Sequence, residues 1–259
     1  MNIVVCVKYV PDAQSEPAFN DDKTTDRVGV DGLLSELDEY AVEAALKIVE
    51  AGEGEVTVMT MGPDAAADAV KKALQMGADK GVHITDDALH GSDAPATSLV
   101  LAEAIKKIGN ADLILTGLGS TDGGMGVIAP MLAERLGLPQ VTLVSELTID
   151  GGKITARRDG DAASETLEAT LPAVVSVTDQ INEPRYPSFK GIMAAKKKPV
   201  EVWTLSDLGL DPSQVGLGAA WTKVESFEKR PPREHGQIVP DEGDGGTKLA
   251  AFLSAKKFV

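Results

Sequence analysis

The chain has 259 residues, 43% of them hydrophobic, which is enough for one large domain or for one domain with an appendage. Its 40 acidic and 25 basic residues give a formal net charge of −15, which argues against sequence-independent binding to nucleic acids or anionic membranes. Cys6 is the only cysteine, so an internal disulfide and a multi-cysteine zinc site are excluded. No apolar run approaches the roughly 18 residues of a membrane span and no charged leader opens the chain, so we expect a cytoplasmic protein without membrane insertion.

The first half of the chain alternates short apolar runs with segments of helical periodicity. The clearest helix follows Ser35, which is predicted as its N-cap, and closes at Gly52. Strands that alternate with helices in this way pair in parallel, so we expect a doubly wound α/β fold with a mainly parallel sheet. The predicted strands are 3–7, 56–61 and 113–116, and the predicted helices are 36–51, 64–76, 95–108 and 127–136.

The second half of the chain carries strand patterns joined by turn signals. Asp150-Gly151-Gly152 and Asp159-Gly160 separate three such segments and predict hairpins, which would extend the sheet as an antiparallel section. Pro172 then precedes an apolar run that predicts a buried strand returning to the main sheet. The three hairpin strands are 141–149, 153–158 and 165–171, and the returning strand is 173–177.

The end of the chain differs in composition. Residues 229–246 are rich in proline, glycine and acidic residues and lack periodicity, whereas 247–258 have the pattern of a short amphipathic helix. We therefore expect an α/β domain, 1–228, and an extended C-terminal arm with a terminal helix, 229–259. An unattached tail would fray, so the apolar residues of this helix predict contact with a second protein surface. These residues are Leu249, Phe252, Leu253 and Phe258.

A glycine-rich loop connects the strand that ends at Thr116 with the next helix. Free amides at a helix start favour a phosphate, and glycine lets a ligand approach the backbone closely. The position after a central strand supports a nucleotide site, although many such loops are only tight turns. No Walker sequence occurs and no dinucleotide fingerprint follows the first strand, so phosphoryl transfer lacks its usual lysine and metal ligands. The loop residues are Gly117, Leu118, Gly119, Ser120, Thr121, Asp122, Gly123, Gly124, Met125, Gly126, Val127 and Ile128.

Residues 182–198 combine apolar and basic side chains on a segment that local rules predict to be an exposed loop. Pro184 and Pro187 bar a helix that would run through both of them. Exposed apolar side chains beside an arginine are typical of a surface where one protein binds another. The alternative is an ordinary connection whose apolar residues fold back on the core. The docking candidates are Asn182, Glu183, Pro184, Arg185, Tyr186, Phe189, Ile192, Met193, Lys196 and Lys197.

The sequence resembles the beta subunit of electron transfer flavoprotein in an ordered series of stretches that spans nearly the whole chain. The pentad Asn182 to Tyr186, followed by Ile192-Met193 and a lysine run, is the most specific of them. The resemblance implies a Rossmann-like fold of the adenine nucleotide alpha hydrolase type. The other stretches are Val4-Val5-Cys6-Val7-Lys8, Asp38-Glu39-Tyr40-Ala41-Val42-Glu43, Ala73-Leu74-Gln75-Met76-Gly77-Ala78-Asp79, the loop from Gly117 to Ile128, and Leu171-Pro172-Ala173-Val174-Val175.

The resemblance further implies a carrier subunit without substrate turnover of its own. An alpha subunit would hold FAD, and this chain would cover the flavin and pack its C-terminal arm on that subunit. Electrons would come from acyl-CoA dehydrogenases and related flavin dehydrogenases, as in fatty acid oxidation, and would pass to a membrane quinone oxidoreductase. Segment 182–198 would dock the donor. Within it, Phe189 takes the position of the family's usual leucine anchor and Lys190 replaces a proline.

A structural AMP pocket is also implied by the resemblance. Its contacts, carried over by position, fall at Cys6, Ser35, Glu36, Leu37, Asp38, Met61 and the loop 117–128. The sequence departs from the common pattern at Leu118 and Gly119, where Lys-Gln is usual, at Ser35 and Glu36, where Asn-Pro is usual, and at Val127, where Gln is usual. Two alternatives stay open: an electron-bifurcating form with a second FAD in this pocket and use of NADH, or a stand-alone adenine-nucleotide-binding regulator or adenylating enzyme.

Catalytic side chains are not indicated by the sequence. His83, His90 and His235 are the only histidines, and none is spaced with a serine, a cysteine or a carboxylate in a recognisable catalytic pattern. The pairs Asp21-Asp22 and Asp86-Asp87 fall in predicted loops, where adjacent carboxylates are solvated. This fits a subunit whose redox chemistry is supplied by a flavin.

Overall fold

The computed structural model describes residues 1–233, 235, 236 and 238–259, and residues 1–225 are built around a nine-stranded sheet. The strands are β1 (Asn2–Cys6), β2 (Tyr9–Pro11), β3 (Gly32–Leu34), β4 (Glu55–Met61), β5 (Lys80–Ile84), β6 (Leu113–Gly117), β7 (Gln140–Asp150), β8 (Lys153–Asp159), β9 (Ser164–Thr170), β10 (Ala173–Val177) and β11 (Val200–Trp203). The large sheet has the order β11-β5-β4-β1-β6-β10-β7-β8-β9, while β2 and β3 form a small antiparallel sheet. Neighbours from β11 to β7 pair in parallel, and β8 and β9 continue the sheet in antiparallel register.

Helices cover both faces of the parallel strands. They are α1 (Glu36–Ala51), α2 (Ala67–Met76), α3 (Ala94–Ile108), α4 (Ile128–Leu136), α5 (Phe189–Ala195) and α6 (Gly216–Ala219), with 3-10 turns at 64–66, 87–89, 206–208 and 212–214. Alternate residues of β1 lie in two separate hydrophobic clusters: Ile3 and Val5 pack with α1 and α2, and Val4 and Cys6 pack with α3 and α4. Because both faces are buried, the strand is an unbroken apolar run. None of the described helices is long and apolar enough to cross a membrane.

The predicted α/β architecture is confirmed. The first four predicted helices are present, and α3 begins directly after Asp93, whose carboxylate accepts a hydrogen bond from the Ala96 N–H at 3.1 Å. Both hairpins occur where the turn signals place them, with Gly151 and Gly152 at φ +54° and +83°. The predicted strand 173–177 returns to the sheet as β10, between β6 and β7.

The prediction of a loop throughout 182–198 was wrong in part, because residues 189–195 form helix α5. Residues 182–188 are irregular, as the two prolines require. After Pro187, the Ser188 hydroxyl accepts a hydrogen bond from the Gly191 N–H at 3.0 Å and caps α5. This helix packs against α2, a contact that local sequence patterns do not show. Strands β2, β3 and β11, each of four residues or fewer, were not predicted either, and the five residues of β5 were also missing from the predicted strands.

Residues 226–259 form a second unit. Its helix, α7 (Gly245–Ala255), begins two residues earlier and ends three residues earlier than the predicted 247–258. The Asp241 carboxylate accepts hydrogen bonds from the N–H groups of Gly243 and Gly245, both at 2.8 Å, just before the helix. The side chains of Leu249, Phe252 and Phe258 are exposed within this unit.

Candidate functional site

The order of the sheet reverses between β1 and β6, and the edge at the carboxyl ends of these two strands is here called the crevice. From β1 the chain crosses to β4 on one side, and it later returns to β6 on the other side. Ligands of open α/β sheets bind at the carboxyl ends of strands where the order reverses in this way. Residues 35–38 and the loop 117–128, which lie far apart in the sequence, come together at this edge.

Asp38 ties the two strand ends to the start of α1. Its carboxylate accepts a hydrogen bond from the Lys8 N–H at 2.8 Å and another from the Gly117 N–H, while the Lys8 carbonyl accepts one from the Ser35 N–H at 2.9 Å. The side chain is buried. Burial raises the pKa of Asp38 to about 7, although the two backbone hydrogen bonds act in the opposite direction.

Gly117 is required at the end of β6 by close packing. A β-carbon at this position would lie 2.6 Å from the Leu37 carbonyl oxygen and 2.7 Å from Asp38 Oδ1. Any side chain would push the start of α1 away from β6. The glycine therefore permits the close approach that brings 35–38 and the glycine-rich loop to one edge.

The glycine-rich loop turns sharply and then enters α4. Gly124 and Gly126 have φ values of +62° and +64°, a region that favours glycine. Ser120 organises the turn, because its carbonyl accepts from the Gly124 N–H at 2.9 Å and its hydroxyl accepts from the Gly123 N–H at 3.2 Å. The N-cap of α4 is Val127, and no side chain among the described residues makes a capping hydrogen bond there. Pro130 has no N–H and the Met131 N–H donates to the Val127 carbonyl at 3.1 Å, so the first turn offers the N–H groups of Ile128 and Ala129 to an anion.

Lys8 and Arg27 both form ion pairs with the carboxylate of Asp122, in the glycine-rich loop at the edge of the crevice. Lys8 Nζ lies 2.9 Å from Asp122 Oδ1 and 3.3 Å from Ser120 Oγ, and the Arg27 guanidinium hydrogen-bonds the other Asp122 oxygen. Lys8 and Arg27 hold the pKa of the Asp122 carboxyl well below its usual range, against the opposing effect of its burial. Arg27 was missed by sequence reasoning, because it lies in an irregular stretch without a motif.

The other predicted nucleotide contacts differ in what their side chains can offer. Cys6 is buried, and burial together with Asp38 raises the pKa of its thiol to about 12, so it is a protonated core residue. Ser35 precedes α1 as predicted, yet its buried hydroxyl has no hydrogen-bond partner within the described part of the chain. Glu36 is exposed, whereas Leu37 and Met61 are partly buried. Along the loop, Leu118, Gly119, Ser120, Asp122, Val127 and Ile128 are partly buried, and Thr121, Gly123, Gly124, Met125 and Gly126 are exposed.

The candidate docking segment, residues 182–198, presents an apolar surface beside basic side chains. Tyr186 is 92% exposed and Phe189 is 80% exposed. Ile192 and Met193 follow on α5 and are also exposed, and Met193 lines a shallow groove with Lys190 and Lys197. The alternative, in which the apolar residues of the segment fold back on the core, is wrong for these four side chains because all of them are exposed. Glu183 and Lys196 are exposed, and Asn182 and Pro184 are partly buried.

Arg185 is engaged within the chain. Its guanidinium hydrogen-bonds Glu43 at 2.7 and 3.1 Å and Glu50 at 2.6 and 2.9 Å, and both glutamates lie on α1. Asn182 makes a similar contact, donating from Nδ2 to the Tyr40 carbonyl at 3.0 Å. The segment is therefore held on α1 at its start. Sequence reasoning did not identify the role of Glu43, since its partner lies 142 residues away.

Comparison with known proteins identifies the family of the chain. The family model of the electron transfer flavoprotein domain matches residues 23–208. The chain is 49% identical to the electron transfer flavoprotein subunit beta of Mycobacterium leprae over 264 aligned residues, which cover 100% of this chain and 99% of that protein, and the same values hold for the subunit beta of Mycobacterium tuberculosis. It is 37% identical, over 99% of its length and 97% of the other's, to subunit CarD of the caffeyl-CoA reductase-Etf complex of Acetobacterium woodii. The chain belongs to the electron transfer flavoprotein family, in the group of its beta subunits.

Proposed function

We propose that this chain pairs with an alpha subunit to hold FAD, accepts electrons from acyl-CoA dehydrogenases and related flavin dehydrogenases, and delivers them to a membrane quinone oxidoreductase. Similarity to beta subunits along the full length supports the pairing. FAD, when bound, supplies the electron-accepting chemistry, and the chain supplies binding surfaces and electrostatics. The role is that of a carrier without substrate turnover of its own, and its cytoplasmic location stays a prediction.

The observation that carries the proposal is the exposed surface of the docking segment. Tyr186 and Phe189 leave most of their area in water, and Lys190 and Lys197 line a groove with Met193 on the same segment. Aromatic residues are enriched at the centres of protein interfaces. The hydrophobic core does not account for Tyr186 and Phe189, because both side chains are exposed. The lysines suit an acidic rim on the donor dehydrogenase, which they would steer toward the apolar contact.

The crevice between β1 and β6 supports AMP as a structural ligand. The Ile128 and Ala129 N–H groups at the start of α4 suit a phosphate, and Lys8 and Arg27 bring positive charge to the same loop, where both also pair with Asp122. The Ser35 hydroxyl is a buried polar atom that finds no partner in the residues described, which is costly unless a ligand group or water satisfies it. The residues present thus fit a nucleotide through backbone amides, despite the departures at Leu118, Gly119 and Val127.

His83, His90 and Asp22 make contacts within the chain. The ring of His83 is buried and lies 3.2 Å from the Gly62 carbonyl oxygen. His90 is on the surface, where its Nε2 lies 2.7 Å from an Asp22 carboxylate oxygen. Among the described residues, no group of His, Cys, Asp and Glu is arranged to hold a metal ion.

The test is to co-express the chain with its alpha subunit, purify the complex, denature it, and identify the released nucleotides by chromatography and mass. The proposal predicts one FAD and one AMP per heterodimer, and reduction of the bound flavin by an acyl-CoA dehydrogenase with its substrate. Absence of a stable heterodimer, together with a folded, flavin-free single chain, would instead support the stand-alone nucleotide-binding regulator.

A second candidate is an electron-bifurcating form, in which the crevice holds a second FAD and NADH is used. The observation that favours it is the similarity to CarD, together with the departures from the common AMP pattern at Ser35 and Glu36. Two FAD and no AMP in the denatured complex, with flavin reduction by NADH, would establish this form in place of the plain carrier.

A further inference from the structure

We infer that Arg185 is a positioning residue, which together with Lys198 fixes the docking segment on α1 and α2 before any partner arrives. This reassigns Arg185 from the contact surface to the support beneath it. The inference rests on the proposed docking function of the segment, and it identifies which of its basic residues act inside the chain.

The hydrogen bonds of Arg185 carry the first step. A guanidinium has five N–H donors, and four hydrogen bonds run from Arg185 to Glu43 and Glu50. The Arg185 backbone N–H also donates to Glu43 Oε2 at 3.2 Å. Glu43 is only 3% exposed, and Arg185 is the closer of its two cationic partners, because the Lys47 ammonium lies 3.9 Å away. Loss of the guanidinium would leave a buried charge poorly paired, which is destabilising. Little donor capacity remains for a second protein.

A second anchor holds the other end of the segment on α2. The Lys198 ammonium donates to the carbonyl oxygens of Leu74 and Gly77, at 3.0 and 2.9 Å, where α2 ends. Gly191 brings α5 close to the same helix end, since a β-carbon there would lie 2.4 Å from the Gln75 carbonyl oxygen. Lys196 and Lys197 remain exposed. The lysine run therefore divides into one supporting residue and two surface residues.

Two anchors on rigid helices give the segment one conformation in the free protein. A partner then meets Tyr186, Phe189 and Met193 already in place, and the cost of ordering a loop on binding is avoided. Loss of an anchor should loosen the surface and weaken docking, while the electron transfer of the docked complex stays unchanged.

The experiment compares Arg185→Lys and Glu50→Gln in the purified heterodimer. Arg185→Lys keeps the positive charge but removes the planar guanidinium that bonds two glutamates at once. Glu50→Gln neutralises the exposed one of these glutamates, with little risk to folding. Glu134→Gln, which neutralises an exposed carboxylate on α4, is the charge-matched control. Amide hydrogen exchange of residues 188–195 is measured without any dehydrogenase, and steady-state electron transfer is measured with an acyl-CoA dehydrogenase.

We expect exchange to accelerate by about three- to tenfold in both variants and not in the control. The KM for the flavoprotein should rise by a similar factor with kcat unchanged, which a general loss of folded protein would not produce. Unchanged exchange in Arg185→Lys would overturn the inference, and so would a lower KM in Glu50→Gln, because freeing the guanidinium would then strengthen a direct contact. If Phe189→Asp transfers electrons normally, the docking function itself fails, and the exchange rates alone decide whether Arg185 fixes the segment.

Discussion

The Asp38 carboxylate and the Lys8 N–H, 2.8 Å apart, join the first turn of α1 to the residues that follow β1. The same carboxylate accepts from the Gly117 N–H, so one buried group holds the ends of two adjacent parallel strands. The geometry of the nucleotide crevice depends on this contact, and its ionisation should be visible in the stability of the protein.

Replacement of Asp38 should change how stability depends on pH. The folded-state pKa of about 7 lies above the unfolded value of about 3.9, so the folded protein binds more protons between these values. The contribution of Asp38 to stability is therefore present at low pH and is lost as the pH rises through about 7. In Asp38→Asn this loss, on the order of 2 kcal/mol between pH 5.5 and pH 8, should vanish.

Urea unfolding of the heterodimer at fixed protein concentration, at pH 5.5 and pH 8, measures this effect. The quantity of interest is the difference between the two pH values in each protein, because an amide at position 38 also loses an acceptor and lowers stability at every pH. Equal pH differences in wild type and variant would contradict the assignment.

Gly117→Ala should separate α1 from β6. The added β-carbon would lie 2.6 Å from the Leu37 carbonyl oxygen, and this clash with backbone cannot be relieved by a change of side-chain conformation. We therefore expect the free energy of unfolding to fall by about 1–3 kcal/mol and bound AMP to be lost. The matched control is Gly218→Ala, where a β-carbon would meet no atom within 4 Å. Calorimetry and the AMP content of the purified heterodimer measure both effects. Retention of AMP by a variant of normal stability would show that the crevice tolerates the shift.

Lys8→Met should weaken AMP binding and leave FAD content unchanged. The ammonium lies beside Ser120 and Asp122, so its removal lowers the positive charge at the mouth of the crevice. One charge-assisted contact corresponds to about a tenfold loss of affinity. Titration of AMP into the AMP-stripped heterodimer by calorimetry checks this value. Lys153→Met, which removes an exposed ion pair with Glu168 on the antiparallel strands, should bind AMP like the wild type.

Phe189→Asp should abolish electron acceptance from the dehydrogenase. The exposed ring is the largest apolar group of α5, and a buried carboxylate in its place would cost about 100-fold or more in docking. Flavin content should not change, because the substitution is on the surface. Val28→Asp adds the same charge at another exposed apolar residue and serves as the control. The flavin spectrum and the rate of flavin reduction are measured together, and loss of flavin in Phe189→Asp would contradict its role in docking.

Much of the site edge could be predicted from the sequence, but its internal contacts could not. Parallel strands place their carboxyl ends at one edge, so the meeting of β1, β4 and β6 follows from the strand pattern alone. The pairing of Arg27 with Asp122 does not, because it joins two irregular segments 95 residues apart. For Ser35, the position directly before α1 could be predicted from the sequence, but the missing hydrogen bond of its hydroxyl to the described residues could not.

The sequence by itself determined the α/β fold, the two hairpins and the family, because these depend on hydrophobic period, turn residues and ordered motifs that are local. Tertiary structure alone decided which docking residues face outward. Arg185 and Lys198 look like surface cations in the sequence, yet both are bound to helices that precede them by more than a hundred residues. Ordering of side chains by such distant partners depends on packing in three dimensions, which no local pattern records.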